Sequence, residues 1–378
     1  MTTHAVRLAV ADATTTVMSL DQAVTDWTAR YFGPWWNAVE VPPESVGTGL
    51  AVVAGVHPSR YKELALGAVQ APHRSVEYAK AQHLVTHDPS SNVIRAFCPE
   101  HQLCYRSEPD RGQLHIVGCD TGPVATATAR LAREMVRGAL LRDGWAVLHA
   151  SAVVGRDGGT ILAFGQKGAG KTTTALALAA CGGLRLLAND RVFVRPRPDG
   201  EAGIDVLPWP SAAAVGLGLL DALNWFDLAQ KRLRDGERLH PTQHEKVTSA
   251  LLAGDRTPLW DNGRELKAQV FPDQFDRWFG LPLATSGEAA ALVFPRVEAG
   301  AAPAEETTVR ALTGHDFMSG TTEDRYPDVF ELALVDGGGI EQTRQEVARR
   351  LGRLPHHSVV LGHDVSANAD FLTKLMPV

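Results

Sequence analysis

The chain has only four cysteines in 378 residues: Cys98, Cys104, Cys119 and Cys181. That is too few for a disulfide framework at this length. It lacks the apolar run of ~18 residues or more that a membrane-spanning helix needs. Its first residues, MTTHAVRLAVADATTTVMSL, lack a basic stretch followed by a clean apolar one. A secretory signal is therefore not expected, and the cytoplasm is the expected location. A strong excess of one charge is also missing. The net charge is −6, so the bulk composition recruits neither nucleic acid nor anionic lipid, and neither partner is expected. No internal repeat is visible. The one biased run, AGAAPAEE at 299–306, reads as a surface loop.

What is present is an ordinary globular composition, with 44% hydrophobic and 21% charged residues. The length suits two domains, or one large one with an appendage. Residues 1–122 read as an α+β unit. LDQAVTDWTARYF has helical spacing, with Leu20, Val24 and Trp27 on one face. Short β-like runs follow: TGLAVVAGV, HLVTH, NVIRAFCP, LCYRS and QLHIVG, separated by turn signals such as DPSSN and EPDRG. A small antiparallel sheet is expected, with a role in acceptor recognition suggested by position alone. Within it, Cys98-Pro-Glu-His101-Gln-Leu-Cys104 invites a zinc reading, with Cys119 as a fourth ligand. The spacing departs from the usual zinc patterns. The preferred reading makes Cys98 and Cys104 small core residues of neighbouring strands.

The turn Asp120-Thr121-Gly122-Pro123 marks the expected boundary, leaving 123–378 as the second domain. VATATARLAREMVRGALLRDG follows as an amphipathic helix. Leu131, Met135 and Ala139 form one apolar row and Ala132, Val136 and Leu140 the next. Arg130, Arg133, Glu134 and Arg137 take the other side, and Gly144 is the stop. AVLHASAVV is then expected as one strand, TILAF as a second and KTTTALALAACGG as a helix. LRLLAND and RVFVRP are short strands around a polar break. Residues 227–266 are polar and charged, and read as an insertion or mobile arm. ALVFPRV and SVVLG are strand-like towards the end, and IEQTRQEVARRLGRL is helical.

The most informative stretch is GQKGAGKTTT, 165–174, which fits G-x-x-x-x-G-K-T between an apolar strand and an Ala/Leu helix. A phosphate needs many donors in a small volume. Successive backbone N–H groups and a helix N-terminus supply them, and glycines let the backbone curl closely around the group. Gly165, Gln166, Lys167, Gly168, Ala169, Gly170, Lys171, Thr172 and Thr173 are the expected nucleotide-binding residues. Lys171 is placed for the β- and γ-phosphates, and the Thr172 hydroxyl for Mg²⁺. Asp190, in LLANDRV, is the nearest well-placed acidic partner for that metal; its alternative is a turn-capping aspartate. His149 ends the run AVLH, just before ASAVV, and its strand directly precedes TILAF. It is either structural or a substrate-facing acid or base.

These segments resemble a known family. LHASAVV, GQKGAGKTTTALAL and RLLANDRVFV resemble the core of the HPr kinase/phosphorylase family and its HPr-kinase-related relatives, in the same order and at similar spacings. WPSAAAVGLGLLDAL and FGLPLATSGEAAALVFPRV extend the resemblance over roughly 145–297. It implies an α/β P-loop nucleotide-binding domain of the HPr kinase/phosphoenolpyruvate carboxykinase type, preceded by the smaller α+β domain. It also implies a kinase that takes ATP and Mg²⁺ and phosphorylates a hydroxyl, often a serine. By position Lys171 and Thr172 take the nucleotide and metal roles, His149 faces the acceptor, and Asn189-Asp190 stand where the family has Asp-Asp. Homo-oligomers occur in that family, so self-association is an open expectation.

Two departures qualify the resemblance. Asn189 replaces the family's first aspartate, and an amide cannot serve as a general base. Base duty then falls to Asp190 or His149. The family's Glu-x-Arg-Gly-x-Gly appears as Ala213-Ala214-Val215-Gly216-Leu217-Gly218, which argues against phosphorylase activity and against HPr as the substrate. His244, Glu245, Lys246, Lys267 and Arg325 read as solvated surface charges, with an approach to the γ-phosphate as the alternative for Arg325. The leading expectation is a kinase acting on a peptide, protein serine or metabolite, with Asp190, His149 and Lys171 catalytic. The alternatives are an NTPase driving a conformational or assembly step, and a nucleotide-binding regulator with degraded catalysis.

Overall fold

Alternating residues start the chain as a hairpin. HAVRLAV forms β1 (His4–Val10) and ATTTVMS forms β2 (Ala13–Ser19), joined by the two-residue turn Ala11-Asp12, with Val10 opposite Ala13. The computed structural model describes residues 2–45, 49–198, 203–308, 310–318, 327–335 and 337–376. The chain divides into two compact units, Met1–Trp145 with Met318–Ile340, and Ala146–Phe317 with Glu341–Val378. Both are mixed α/β. The division falls after the long helix, not at the turn near residue 122, and a late segment returns to the first unit.

In the first unit, α1 (Gln22–Trp36) follows β2, with the Asp21 carboxylate accepting from the Ala23 N–H at its start. Then come β3 (Val39–Glu40), β4 (Ala51–Val56), α2 (Pro58–Gln70), β5 (Arg74–Tyr78), β6 (Ala81–Asp88), β7 (Val93–Cys98), β8 (Leu103–Glu108), β9 (Gln113–Gly118) and α3 (Thr121–Arg142). The strands make one sheet in the order β3-β1-β2-β4-β9-β8-β7-β6-β5. From β5 to β9 it is the expected antiparallel meander, while β4 runs parallel to β2 and β9. Cys98 on β7 and Cys104 on β8 are buried. Burial pushes the Cys104 thiol up to about 12, with Cys119 adding to the shift. Among the described residues no group of three His, Cys, Asp or Glu is placed to hold a metal ion.

The apolar rows of α3 are buried as expected, but its charged side is buried too: Arg133, Glu134 and Arg137 are all under 9% exposed. The reason is a cover that spacing within the helix cannot reveal. Arg137 Nε pairs with Glu134 Oε2 at 2.7 Å, and its Nη1 donates to the Gly337 carbonyl. Arg142 donates to the Ala333 carbonyl at 2.7 Å. The returning segment therefore lies along this helix. Gly138 is required there, because a Cβ would lie 2.5 Å from the Ala333 Cα.

The second unit begins with β10 (Ala146–Leu148), β11 (Ala150–Val154), β12 (Gly159–Phe164), α4 (Lys171–Ala180), β13 (Arg185–Ala188), β14 (Val192–Pro196) and β15 (Ile204–Pro208). Next are β16 (Ala213–Val215), α5 (Leu217–Ala222), α6 (Phe226–Arg234), α7 (Glu245–Ala253), β17 (Leu259–Asp261), β18 (Arg264–Leu266), β19 (Ala268–Val270) and α8 (Pro272–Phe279). The unit closes with β20 (Gly287–Val297), β21 (Ala304–Glu305), α9 (Glu341–Leu351), β22 (His356–Leu361) and α10 (Val365–Leu375). The main sheet runs β10-β14-β15-β20-β12-β11-β13, with β22 also on β20 and β21 on β22.

Both faces of this sheet are covered. Apolar residues of α4, α5, α6, α7, α8 and α10 pack on one face, and Val347 and Leu351 of α9 on the other. The stretch 227–266, expected as an insertion or mobile arm, forms two helices and a hairpin. It buries Ala229, Val247, Ala250 and Leu251 in the first of these cores. The 299–306 run contributes the edge strand β21.

Candidate functional site

Strand register brings the site together. β12, which leads into the glycine loop, pairs antiparallel with β11, with Ala150 opposite Phe164. β11 pairs antiparallel with β13, with Ala152 opposite Ala188. β12 and β13 thus end on the same side of the sheet, the side on which β11 begins. Continuing those registers places His149 across from Gly165 and next to Asp190. Residues separated by 41 positions meet because one antiparallel strand lies between two parallel ones: His149 Nε2 lies 2.9 Å from Asp190 Oδ1.

His149 was expected inside one continuous strand. Instead it is the break between β10, which pairs with β14, and β11, which pairs with β12. Its own N–H donates to the Asp316 carbonyl at 2.8 Å, and Leu148 forms a bridge with Phe317. The Asp316 carboxylate in turn accepts from Arg310 Nη2 at 2.7 Å and from the Thr313 N–H at 2.8 Å. A break in pairing, filled by a third segment, frees the imidazole to turn towards Asp190.

The glycine loop needs its glycines. Gly165, Gly168 and Gly170 have φ of 152°, 89° and 103°, a region that L-residues with a Cβ avoid. A Cβ on Gly170 would lie 2.5 Å from Val297 Cγ2. Helix α4 starts at Lys171 with no side-chain cap on Gly170. Gln166, Lys167 and Gly168 are exposed; Ala169, Thr172 and Thr173 are half-buried. Lys171 is 8% exposed and folds back over the loop. Its Nζ donates to the Gly165 carbonyl at 2.6 Å and to the Gln166 carbonyl at 3.4 Å. A buried ammonium held by carbonyl oxygens is suited to exchange them for the oxygens of an anion.

Asp190 is held on both oxygens. Oδ1 faces His149, and Oδ2 lies 3.0 Å from Arg191 Nη1. Burial alone would raise its pKa. The His149 hydrogen bond and the charges of Arg191, His149 and Lys171 outweigh that and hold the carboxyl well below the usual carboxylate range. The side chain remains 38% exposed, so solvent and ligand reach it.

Asn189 is a hub. Its backbone carbonyl accepts from the fully buried Ser151 hydroxyl at 2.6 Å and from the Thr172 hydroxyl at 3.3 Å. Its side-chain Oδ1 accepts from Ser211 at 3.4 Å. A carbonyl cannot donate, so the single Thr172 hydroxyl proton points at Asn189 and the oxygen lone pairs point elsewhere. That is the orientation a hydroxyl needs to bind a cation.

Lys171, Thr172, Asp190 and His149, selected from sequence, therefore lie at one sheet edge with the rest of the loop. Ser151, Ser211 and Asp316 were missed. Only Ser151 left a signal, as the lone hydroxyl in the otherwise apolar strand ASAVV. The other charges flagged in the sequence serve locally. His244 caps α7 by accepting from the Lys246 N–H, and Glu245 sits in that helix's first turn. Lys246 pairs with Asp261 and Lys267 with Glu265. Arg325 lies outside the described residues. No protein-family model matches the chain, and no curated protein is significantly similar to it.

Proposed function

We propose that the second unit is an ATP-dependent kinase that transfers the γ-phosphoryl group to a hydroxyl of a peptide, a protein serine or a small metabolite, in the manner of the HPr kinase/phosphorylase family that its sequence resembles. One observation carries the reading: the His149–Asp190 pair, 2.9 Å apart, sits at the sheet edge where the glycine loop and Lys171 also lie. A phosphate cradle alone fits any nucleotide-binding protein. A carboxylate and an imidazole beside it fit a site that also handles an acceptor.

The roles follow from the groups. Backbone N–H groups of the loop and the start of α4 take the phosphate oxygens, and Lys171 exchanges its carbonyl partners for the β- and γ-phosphates. Thr172 and Asp190 fit Mg²⁺ as hard oxygen donors, one with its proton already turned away. The metal would neutralise charge on the β- and γ-oxygens there. The acceptor oxygen bonds to the γ-phosphorus while the bond from that phosphorus to the β–γ bridging oxygen breaks, its electron pair leaving with ADP. The hydroxyl proton passes to the Asp190–His149 pair. Asp190 is a weak base, since its neighbours keep it ionised. A loose transition state asks more of positioning than of basicity, and a carboxylate fixed on both oxygens can orient an acceptor hydroxyl.

The test is γ-³²P-ATP with Mg²⁺ and a panel of peptides and metabolites encoded beside the gene, comparing wild type with Asp190→Ala. Label on an acceptor, lost in the variant, supports the kinase. Label released only as free phosphate moves the reading to an NTPase. Nucleotide retained without turnover under any condition leaves a binding regulator.

A further inference from the structure

On the nucleotide side the site described so far has Lys171 and, exposed in the loop, Lys167. Phosphoryl transfer spreads negative charge over three equatorial oxygens, and a guanidinium facing them is a recurrent means of stabilising it. The residue next to Asp190 has the required features. Arg191 Nη1 lies 3.0 Å from Asp190 Oδ2, which orients the guanidinium without exhausting it. Its plane is supported by the Trp209 ring, 5.7 Å from Cζ to the centroid, and that ring stacks on Phe193 of β14 at 5.2 Å. Among the described residues, Arg191 Nε is buried and has no hydrogen-bond partner. The side chain is 20% exposed, so water that would satisfy its donors has limited access. Orphaned donors on a buried guanidinium cost stability unless a ligand fills them. Arg197, just beyond the far end of β14, differs: it is committed to Asp205 and Glu288.

We propose that Arg191 is a catalytic residue, an arginine finger supplied in cis that donates its free N–H groups to the equatorial oxygens of the transferring phosphoryl group. The assignment rests on the phosphotransfer reading of the site. The bonds that form and break are those of the transfer itself. Arg191 exchanges no proton and contributes only hydrogen bonds and charge. Its pairing with Asp190 couples the two halves of the site, because the carboxylate that orients the acceptor also aims the guanidinium.

The test compares wild type, Arg191→Ala and Arg191→Lys as full chains, in Mg²⁺, by calorimetric affinity for ADP alone and for ADP with aluminium fluoride, a mimic of the flying phosphoryl group. Phosphate release from ATP and its rescue by added guanidinium are measured alongside. Arg191→Ala should bind ADP within about twofold of wild type, lose roughly 10²-fold or more in affinity for the mimic, and lose roughly 10³-fold in turnover. Guanidinium should restore part of that turnover. Arg191→Lys, which keeps the charge but not the fork, should fall between the two, and it carries the comparison if Arg191→Ala does not fold. Equal affinity of wild type and variants for the mimic would overturn the assignment while leaving the kinase reading intact. A wild-type protein that binds neither ADP nor the mimic overturns both.

Discussion

Replacing glycines in the phosphate loop separates two physical costs that the loop combines. Gly168 and Gly170 both have positive φ, 89° and 103°, so alanine at either position incurs backbone strain of roughly 1–2 kcal/mol. They differ in what a Cβ would meet. At Gly168 there is nothing within 4 Å, whereas at Gly170 Val297 Cγ2 lies at 2.5 Å. Overpacking of that kind adds roughly 1–3 kcal/mol. Gly168→Ala should thus cost about 1–2 kcal/mol and Gly170→Ala about 2–5 kcal/mol. Val297→Ala removes the obstacle at a cost of its own of about 1 kcal/mol, since the side chain is only half-buried. The double variant Gly170→Ala/Val297→Ala should then be less destabilised than the sum of its parts by about 1–3 kcal/mol. Urea unfolding followed by tryptophan fluorescence gives the four values, compared within the same transition because a chain of two units need not unfold in one step. Equal costs at Gly168 and Gly170, or no coupling with Val297, would refute the loop geometry. Calorimetric ADP affinity should fall in the same order.

Lys171→Ala removes the ammonium that lies on the Gly165 carbonyl; it should leave the far-ultraviolet dichroism unchanged and reduce phosphate transfer by at least ~10²-fold. Asp190 has a depressed pKa in the folded chain. Its contribution to stability is therefore fully present above the unfolded carboxylate value of about 4 and is lost as pH falls through the lower folded value. The stability difference between wild type and Asp190→Asn should shrink as pH falls below about 4; a difference that grows in that range would contradict the site electrostatics. Iodoacetamide at neutral pH should label the exposed Cys181 but not the buried Cys98 or Cys104 until the chain is unfolded, as read by peptide mass spectrometry. Arg137→Met leaves the buried Glu134 with only the more distant Arg133, 3.8 Å away, and should cost up to roughly 3–5 kcal/mol in thermal or urea unfolding, with much of the loss recovered in Arg137→Met/Glu134→Gln.

Much of the secondary structure was legible because it obeys local rules. QLHIVG alternates and is β9, and NVIRAFCP, a short mostly apolar run, contains β7. IEQTRQEVARRLGRL has the helical period and contains α9. Spacing fails where distant chain decides the environment. The charges of α3 mark a solvent face by periodicity, yet Arg137 and Arg142 spend their donors on carbonyls of a segment some 190–200 residues later. The polar stretch 227–266 failed for a related reason. Its few apolar residues are widely spaced, but α6 and α7 turn them to one core while the charges pair at the surface, as Arg256 does with Asp227 at 2.6 Å.

The site shows the same division between local and distant causes. The proximity of Gly165, Gly170, Lys171 and Thr172 was legible because the glycine loop is contiguous, so that spacing along the chain is spacing in space. Asp190 was legible only as the next acidic residue at a strand end. The partner that gives it meaning, His149, depends on which strands pair. AVLHASAVV carries no mark of the break at His149, since every neighbour on both sides suits a buried strand. The break exists because β10 goes to β14 while β11 goes to β12 and β13, and because Asp316, 167 residues on, accepts the His149 N–H. Asn189 follows the same logic. Read as a letter, it is a lost acid. In the fold, its carbonyl holds Ser151 and Thr172 and its amide oxygen holds Ser211, so the position organises the edge without titrating. An aspartate there would put a second negative charge beside Asp190, and like charges in contact raise one another's pKa. With an amide at 189, the single carboxylate at 190 stays ionised between His149 and Arg191, the state that the proposed metal binding and acceptor orientation would require.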